Sequence, residues 1–238
     1  MTLRACVKTD VGKKRANNED AFYINEARGI FAIADGMGGH KAGEVASRLA
    51  IEEISTHLEC LKAAAALDDL KRAIELANRT IFLASQADPS LENMGTTVVV
   101  AAIEDGRLLL AHVGDSRAYL FTDSGLARIT EDHSFVHEMI REGEITEEEA
   151  RAHPMRGVLL RALGIYDDVE IEARELPYRG ELLLLCTDGL TDMLQDKEIE
   201  KLLVKLPNAR EVCDFLVAKA NEAGGRDNIT VITVRNVL

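Results

Sequence analysis

With 238 residues, 47% of them hydrophobic, the chain can bury a substantial core as one large domain or two small ones. Its 28 basic and 41 acidic side chains give a net charge of −13, and no basic stripe offsets it, which excludes a general nucleic-acid binder. Charged residues are interleaved with apolar ones, which excludes disorder, and no apolar run reaches the about 20 residues a membrane span needs.

The first twenty residues are polar and charged, so no signal peptide is expected. The four cysteines (Cys6, Cys60, Cys186, Cys213) lie far apart, with no C-x-x-C pair. Cys186 ends an apolar run and reads as a buried free thiol, which suits a cytoplasmic protein.

In chain order, Leu3–Thr9 alternates as a strand and Gly12–Asp20 is a polar loop. Ala21–Asn25 and Ile30–Ala34 form a hairpin around Arg28-Gly29. Asp35 follows the second strand, and three glycines crowd the next four positions, Gly36-Met37-Gly38-Gly39. A strand that fixes a carboxylate, followed by backbone free of side chains, is built for a close approach.

After His40 the apolar period changes. Ala42, Val45, Ala46, Leu49, Ile54 and Leu58 share a helical face, and a second helix from about Asp68 repeats it with Leu70, Ala73, Ile74, Ala77 and Ile81. Gly95–Ile103 is a β-branched strand, Asp105-Gly106 a two-residue hairpin turn, and Leu108–Val113 the return. Ala118–Phe121 and Leu126–Ile129 continue the meander, so the sheet is antiparallel.

Residues 130–162 are rich in charge. Thr146 with Glu149 makes a capping box that opens a short helix, and Pro154 stops it. This reads as a small helical insertion on a sheet protein. Val169–Ala173 alternates as a strand, and Leu182–Cys186 is apolar on both faces. Helices over Leu190–Leu194, Lys197–Leu206 and Arg210–Ala223 precede a last strand, Ile229–Val234. With no repeat or linker, residues 1–238 read as one α+β domain.

Five aspartates punctuate strand ends: Asp20, Asp35, Asp115, Asp188 and Asp227. A single aspartate beside a glycine is an ordinary turn former. Five brought together would repel one another unless cations intervened. Oxygen donors without a Cys or His cluster suit hard ions, Mg²⁺ or Mn²⁺.

The set resembles the bacterial form of the metal-dependent serine/threonine protein phosphatases, the PPM or type 2C family. Arg15-Ala16-Asn17-Asn18-Glu19-Asp20 matches R-x-x-N-E-D, and Asp35-Gly36-Met37-Gly38-Gly39-His40 matches D-G-M-G-G-H. Gly95-Thr96-Thr97, Gly114–Tyr119, Glu131–Ser134, Arg161–Gly164, Thr187–Leu190 and Gly225–Thr230 match the remaining blocks in order.

The resemblance implies a four-layer αββα sandwich, two antiparallel sheets flanked by helices, with a small helical flap at about 133–160. It implies Asp35 bridging two Mn²⁺ or Mg²⁺ ions, with the Gly36 carbonyl on one of them. Asp20 would hold the water shell with Glu19 behind it, and Asp188 and Asp227 would ligate the other ion. Asp115 with Asp188 matches a third metal site, and Arg15 matches the arginine that binds substrate phosphate. The position after Asp35-Gly36, histidine in many eukaryotic members, is Met37 here. That leaves the leaving-group acid open between His40 and metal-bound water.

The implied reaction is hydrolysis of phosphoserine and phosphothreonine by a metal-activated water. A phosphatase for another phosphomonoester and a non-catalytic binding relative are the alternatives. The latter is disfavoured because every expected carboxylate is present. Phosphoproteins are the implied substrates, of a kinase on a separate chain; a monomer is expected, with no nucleic-acid or membrane partner.

Overall fold

The computed structural model describes residues 2–38, 42–62, 64–205 and 209–237. In chain order the elements are β1 (Leu3–Asp10), β2 (Asp20–Asn25), β3 (Ile30–Met37), α1 (Ala42–Glu59), α2 (Leu67–Ala87), β4 (Gly95–Thr96), β5 (Val98–Glu104), β6 (Arg107–Val113), β7 (Arg117–Thr122) and β8 (Gly125–Arg128). Then follow α3 (Phe135–Arg141), α4 (Glu147–Ala152), β9 (Glu172–Pro177), β10 (Leu182–Cys186), α5 (Asp188–Thr191), α6 (Asp196–Lys205), α7 (Ala209–Glu222) and β11 (Ile229–Asn236).

The strands form two antiparallel sheets. One runs β1-β11-β10-β7-β8, the other β2-β3-β5-β6-β9, with β4 paired to β3. Side chains alternate across a strand, and this alternation sorts the core into three layers. Phe31, Ile33, Val99, Ala101, Leu108, Leu110, Leu183, Leu185, Ile232 and Val234 fill the space between the sheets. The opposite faces of β3, β5 and β6 carry Ile30, Ala32, Val98, Val100, Leu109 and Ala111 onto α1 and α2. Leu182, Leu184, Cys186, Ile229 and Val231 face the other way, onto α5, α6 and α7. The result is the expected αββα sandwich, with β10 apolar on both faces because a helix layer covers the face turned away from the second sheet.

The Asp105-Gly106 hairpin is as expected, with φ of 49° and 75° at its two central residues, the left-handed pair that matches strand twist. The Thr146–Glu149 box is present, with Glu149 N–H donating to Thr146 Oγ1 and Thr146 N–H to Glu149 Oε2. Cys186 is buried and free.

Three local readings are corrected. Asp35 lies inside β3, opposite Asp20 in the ladder. The strand over Gly95–Ile103 breaks at Thr97, whose N–H turns aside to the Asp35 carbonyl at 2.9 Å. The strand expected at Val169–Ala173 begins only at Glu172. Glu172 pairs with His112, and β6 ends one residue beyond, so the segment before Glu172 has almost no ladder to join. Val169 and Ile171 pack instead against the α1–α2 core. Among the described residues no helix is long and apolar enough to cross a membrane.

Candidate metal centre

The inter-sheet face changes character at one end. Continuing the alternation of Phe31 and Ile33 puts Asp35 on that face, and Asp20 sits across from it in register. From the other sheet, Thr187 continues the row of Leu183 and Leu185, and Thr230 that of Ile232. Thr187 Oγ1 donates to Asp20 Oδ2 at 3.0 Å and Thr230 Oγ1 donates to it at 2.6 Å. Two hydroxyls thus aim one carboxylate across the gap between sheets, a support that adds rigidity as well as charge-assisted hydrogen bonds.

Asp35 is anchored through its backbone. Its N–H donates to Thr97 Oγ1 at 3.0 Å, and its carbonyl accepts from Thr96 Oγ1 at 2.8 Å. The next residue has no room for a side chain: a Cβ on Gly36 would lie 2.0 Å from the Gly43 carbonyl oxygen. Glycine here lets α1 start against β3. Glu19 lies in that contact, since a Cβ on Gly43 would strike its Oε2 at 2.2 Å, and Asn17 Nδ2 donates to Glu19 Oε1 at 3.1 Å.

Asp188 opens α5 directly after β10. Asp227 stands before β11, where its Oδ1 accepts the Asn228 N–H at 2.8 Å. Asn228 ties this loop to the first one: its Nδ2 donates to the Val11 and Asn17 carbonyls, and its Oδ1 accepts the Glu19 N–H. Arg15 Nη2 reaches Asp227 Oδ2 at 2.6 Å, with its side chain half exposed.

The aspartates lie near enough to disfavour one another's charge. Burial, then repulsion from Asp20, Asp188, Asp115 and Asp227, holds the Asp35 carboxyl well above the usual range. Burial with the fields of Asp115, Asp192, Asp227 and Asp20 does the same to Asp188. Burial pushes Asp20 up to about 7 against its two threonine hydrogen bonds, and Asp227 and Glu19 add to the rise. Asp115 is pushed up to about 7 by burial and by Asp132.

Asp20 Oδ1 and Asp188 Oδ1 are buried with no hydrogen-bond partner. An unpaired buried carboxylate oxygen is costly, and convergent oxygens of one sign are the donor set of a hard divalent cation. The residues fit such an ion.

Of the expected site residues, Arg15, Glu19, Asp20, Asp35, Gly36, Asp115, Asp188 and Asp227 all lie in this region, whereas His40 lies outside the described residues. Thr97, Thr187, Thr230 and Asn228 carry supporting roles that the sequence reading did not assign. It also passed over Asp192, whose carboxyl is raised by burial despite the opposing charges of Arg156, Arg117 and Arg151. Its signal was its place four residues after Asp188, on the same helical face. A cavity of about 480 Å³ adjoins Asp115, Asp188 and Asp192 and runs beneath the segment that carries α3 and α4.

The family described as Protein phosphatase 2C matches residues 11–228. The serine/threonine phosphatase stp of Listeria monocytogenes serotype 4b (strain F2365) is 40% identical over 99% of this chain and 97% of its own length. The crystal structure of the serine/threonine phosphatase Stp1 from Staphylococcus aureus has a TM-score of 0.94 at 35% identity, covering 100% of this chain and 96% of that one. The catalytic domain of the serine/threonine protein phosphatase PstP, solved in complex with two manganese ions, has a TM-score of 0.90 at 38% identity, covering 98% of this chain and 97% of that one.

Proposed function

The chain belongs to the protein phosphatase 2C family of metal-dependent serine/threonine phosphatases, and we propose that Asp20, Asp35, Gly36, Asp188 and Asp227 form its metal centre. Asp35 and the Gly36 carbonyl would hold Mn²⁺ or Mg²⁺, with Asp188 and Asp227 supplying further ligands. Asp20, backed by Glu19, would hold the water shell. Asp115 with Asp188 would hold a third ion. The observation that carries this reading is the pair of orphaned oxygens, Asp20 Oδ1 and Asp188 Oδ1, in a cluster of mutually repelling carboxylates. When bound, the ions supply a water acidic enough to attack phosphorus near neutral pH.

The chain's own groups set the geometry of that attack. Asp20, held by Thr187 and Thr230, cannot swing away from the gap between sheets. Arg15 is tethered to Asp227 through one guanidinium nitrogen, which leaves other donors of its planar fork for the phosphate oxygens. The same donors stabilise the charge those oxygens carry as the bond to the serine or threonine oxygen breaks and the bond to the water oxygen forms. The proton for the leaving oxygen comes from His40 or from water. The products are inorganic phosphate and the free hydroxyl side chain.

Phosphoproteins are the substrates, and the cavity beside Asp115 and Asp192 accommodates chain flanking the phosphorylated residue. Residues 1–238 act as one catalytic domain, with the flap at 133–160. The scattered cysteines support a cytoplasmic enzyme, and the acidic balance argues against a nucleic-acid partner; it acts as a monomer, without a membrane partner, opposite a separate Ser/Thr kinase.

The test is hydrolysis of a phosphothreonine peptide by wild type and Asp188→Ala, with Mn²⁺ and after chelation. Wild type is expected to require Mn²⁺, and the variant to lose more than the about 10–100-fold that outer partners of a metal site cost. Equal rates for the two proteins would overturn the assignment.

A further inference from the structure

His112, His133 and Glu172 lie outside the carboxylate cluster, and by distance alone they look like a second cation site. One ligand atom from each lies within 4.8 Å of the others. Hydrogen bonding argues otherwise. The Gly114 N–H donates to His133 Nδ1 at 3.1 Å, so that nitrogen carries the lone pair. In the neutral ring the proton then sits on Nε2, which faces Glu172 Oε2 at 3.5 Å. A cation on Nε2 would force the proton onto Nδ1, against the Gly114 N–H. The Arg161 guanidinium, 3.4 Å from Nε2, adds an opposing positive charge.

The same contacts show what His133 does. Its own N–H donates to the Gly114 carbonyl at 3.0 Å, so backbone and ring together close a two-bond clamp on Gly114. Gly114 has φ of +100°, and a Cβ there would meet Thr97 Cγ2 at 2.6 Å. Glycine takes that conformation freely, and the same freedom leaves its position to be set by its partners. Asp115 follows it directly. The His133 ring is buried and stacks on His112, centroids 4.8 Å apart and 15° from parallel. Burial, with His112 and Arg161 nearby, pushes it down to about 4, so the acceptor nitrogen persists at neutral pH. His133 also roots the flap. Its carbonyl accepts the Leu160 N–H at 2.8 Å, and Phe135 N–H donates to the Val158 carbonyl at 2.8 Å.

We infer that His133 is a positioning residue: through its Nδ1 acceptor it holds Gly114, and so sets the Asp115 carboxylate for a metal ion while tying the flap to that carboxylate. This rests on the reading of Asp115 as a metal ligand.

The test is direct Mn²⁺ binding to the metal-free full chain, followed by calorimetry, for wild type, His133→Asn, His133→Gln and Asp115→Asn. The Asn amide oxygen takes the place of Nδ1, whereas Gln puts its polar group where Nε2 stands. His133→Asn is expected to keep the wild-type isotherm, and His133→Gln to weaken the Asp115-dependent ion about 10–100-fold, as outer partners do. Asp115→Asn identifies that ion by losing it. Thermal unfolding of each variant shows that it is folded.

Asn and Gln variants that bind alike, while Asp115→Asn is impaired, would overturn the role of His133 alone. An unchanged isotherm for Asp115→Asn would overturn the ligand reading and this inference with it.

Discussion

Asp132 and Arg117 meet almost out of contact with water. The guanidinium donates from Nε to Oδ1 at 2.9 Å and from Nη2 to Oδ2 at 2.5 Å, with the Asp132 side chain only 9% exposed. Burial alone would raise that carboxyl. Arg117, helped by Arg128, outweighs it and holds the group below the usual carboxylate range. A depressed folded value means that the pair stabilises the fold fully above the ordinary carboxylate pKa of about 3.9. That stabilisation is lost as the pH falls through the lower folded value. Asp132→Asn removes the nearer carboxylate from buried Arg117, leaving Tyr119 Oη at 3.3 Å and Asp196 at 3.9 Å, and is expected to cost up to about 3–5 kcal/mol at neutral pH, the range of a broken buried pair. Urea unfolding at pH 7 and at stepwise lower pH checks both parts: the gap between variant and wild type should close in acid.

At the scale of elements, period-two alternation carries the site. The rows that supply Phe31, Ile33, Leu183, Leu185 and Ile232 to the inter-sheet core end in Asp35, Thr187 and Thr230. That much is written in each strand, and Asp20, Asp35 and Asp188 are visible in sequence as charges beside apolar runs. That Thr187 and Thr230 converge on one oxygen of Asp20 is not visible there. It depends on which strand pairs with which across two sheets, and no local pattern encodes that. The strand that alternation suggests from Val169 begins at Glu172 for the same reason, because alternation marks a face while the partner's length decides the ladder.

The short helix α4 was legible because its cap is local. It has six residues, too few to persist alone. Thr146→Ala removes the capping oxygen and is expected to cost the helix about 1 kcal/mol. Amide exchange should speed up across 147–152 and stay unchanged in β10.

Across the whole molecule, acidic side chains outnumber basic ones and the net charge is −13, and a few of those carboxylates are placed where they work against the fold. Asp20, Asp35, Asp115 and Asp188 each hold a raised carboxyl, while Arg15 pairs with Asp227 from the loop before β2 and Arg117 opposes the rise at Asp115. Such an arrangement stores repulsion that bound cations relieve. The overall shape follows from covering two sheets with helices on their outer faces, which leaves the end of the inter-sheet layer as the opening. We propose this opening as a multi-ion centre built from those aspartates. Its most direct measurement is an anomalous difference map from crystals grown with Mn²⁺. At least two peaks are expected among Asp20, Asp35, Asp188 and Asp227, with Asp35 touching both. An absence of peaks there, or a single peak among His112, His133 and Glu172, would contradict it.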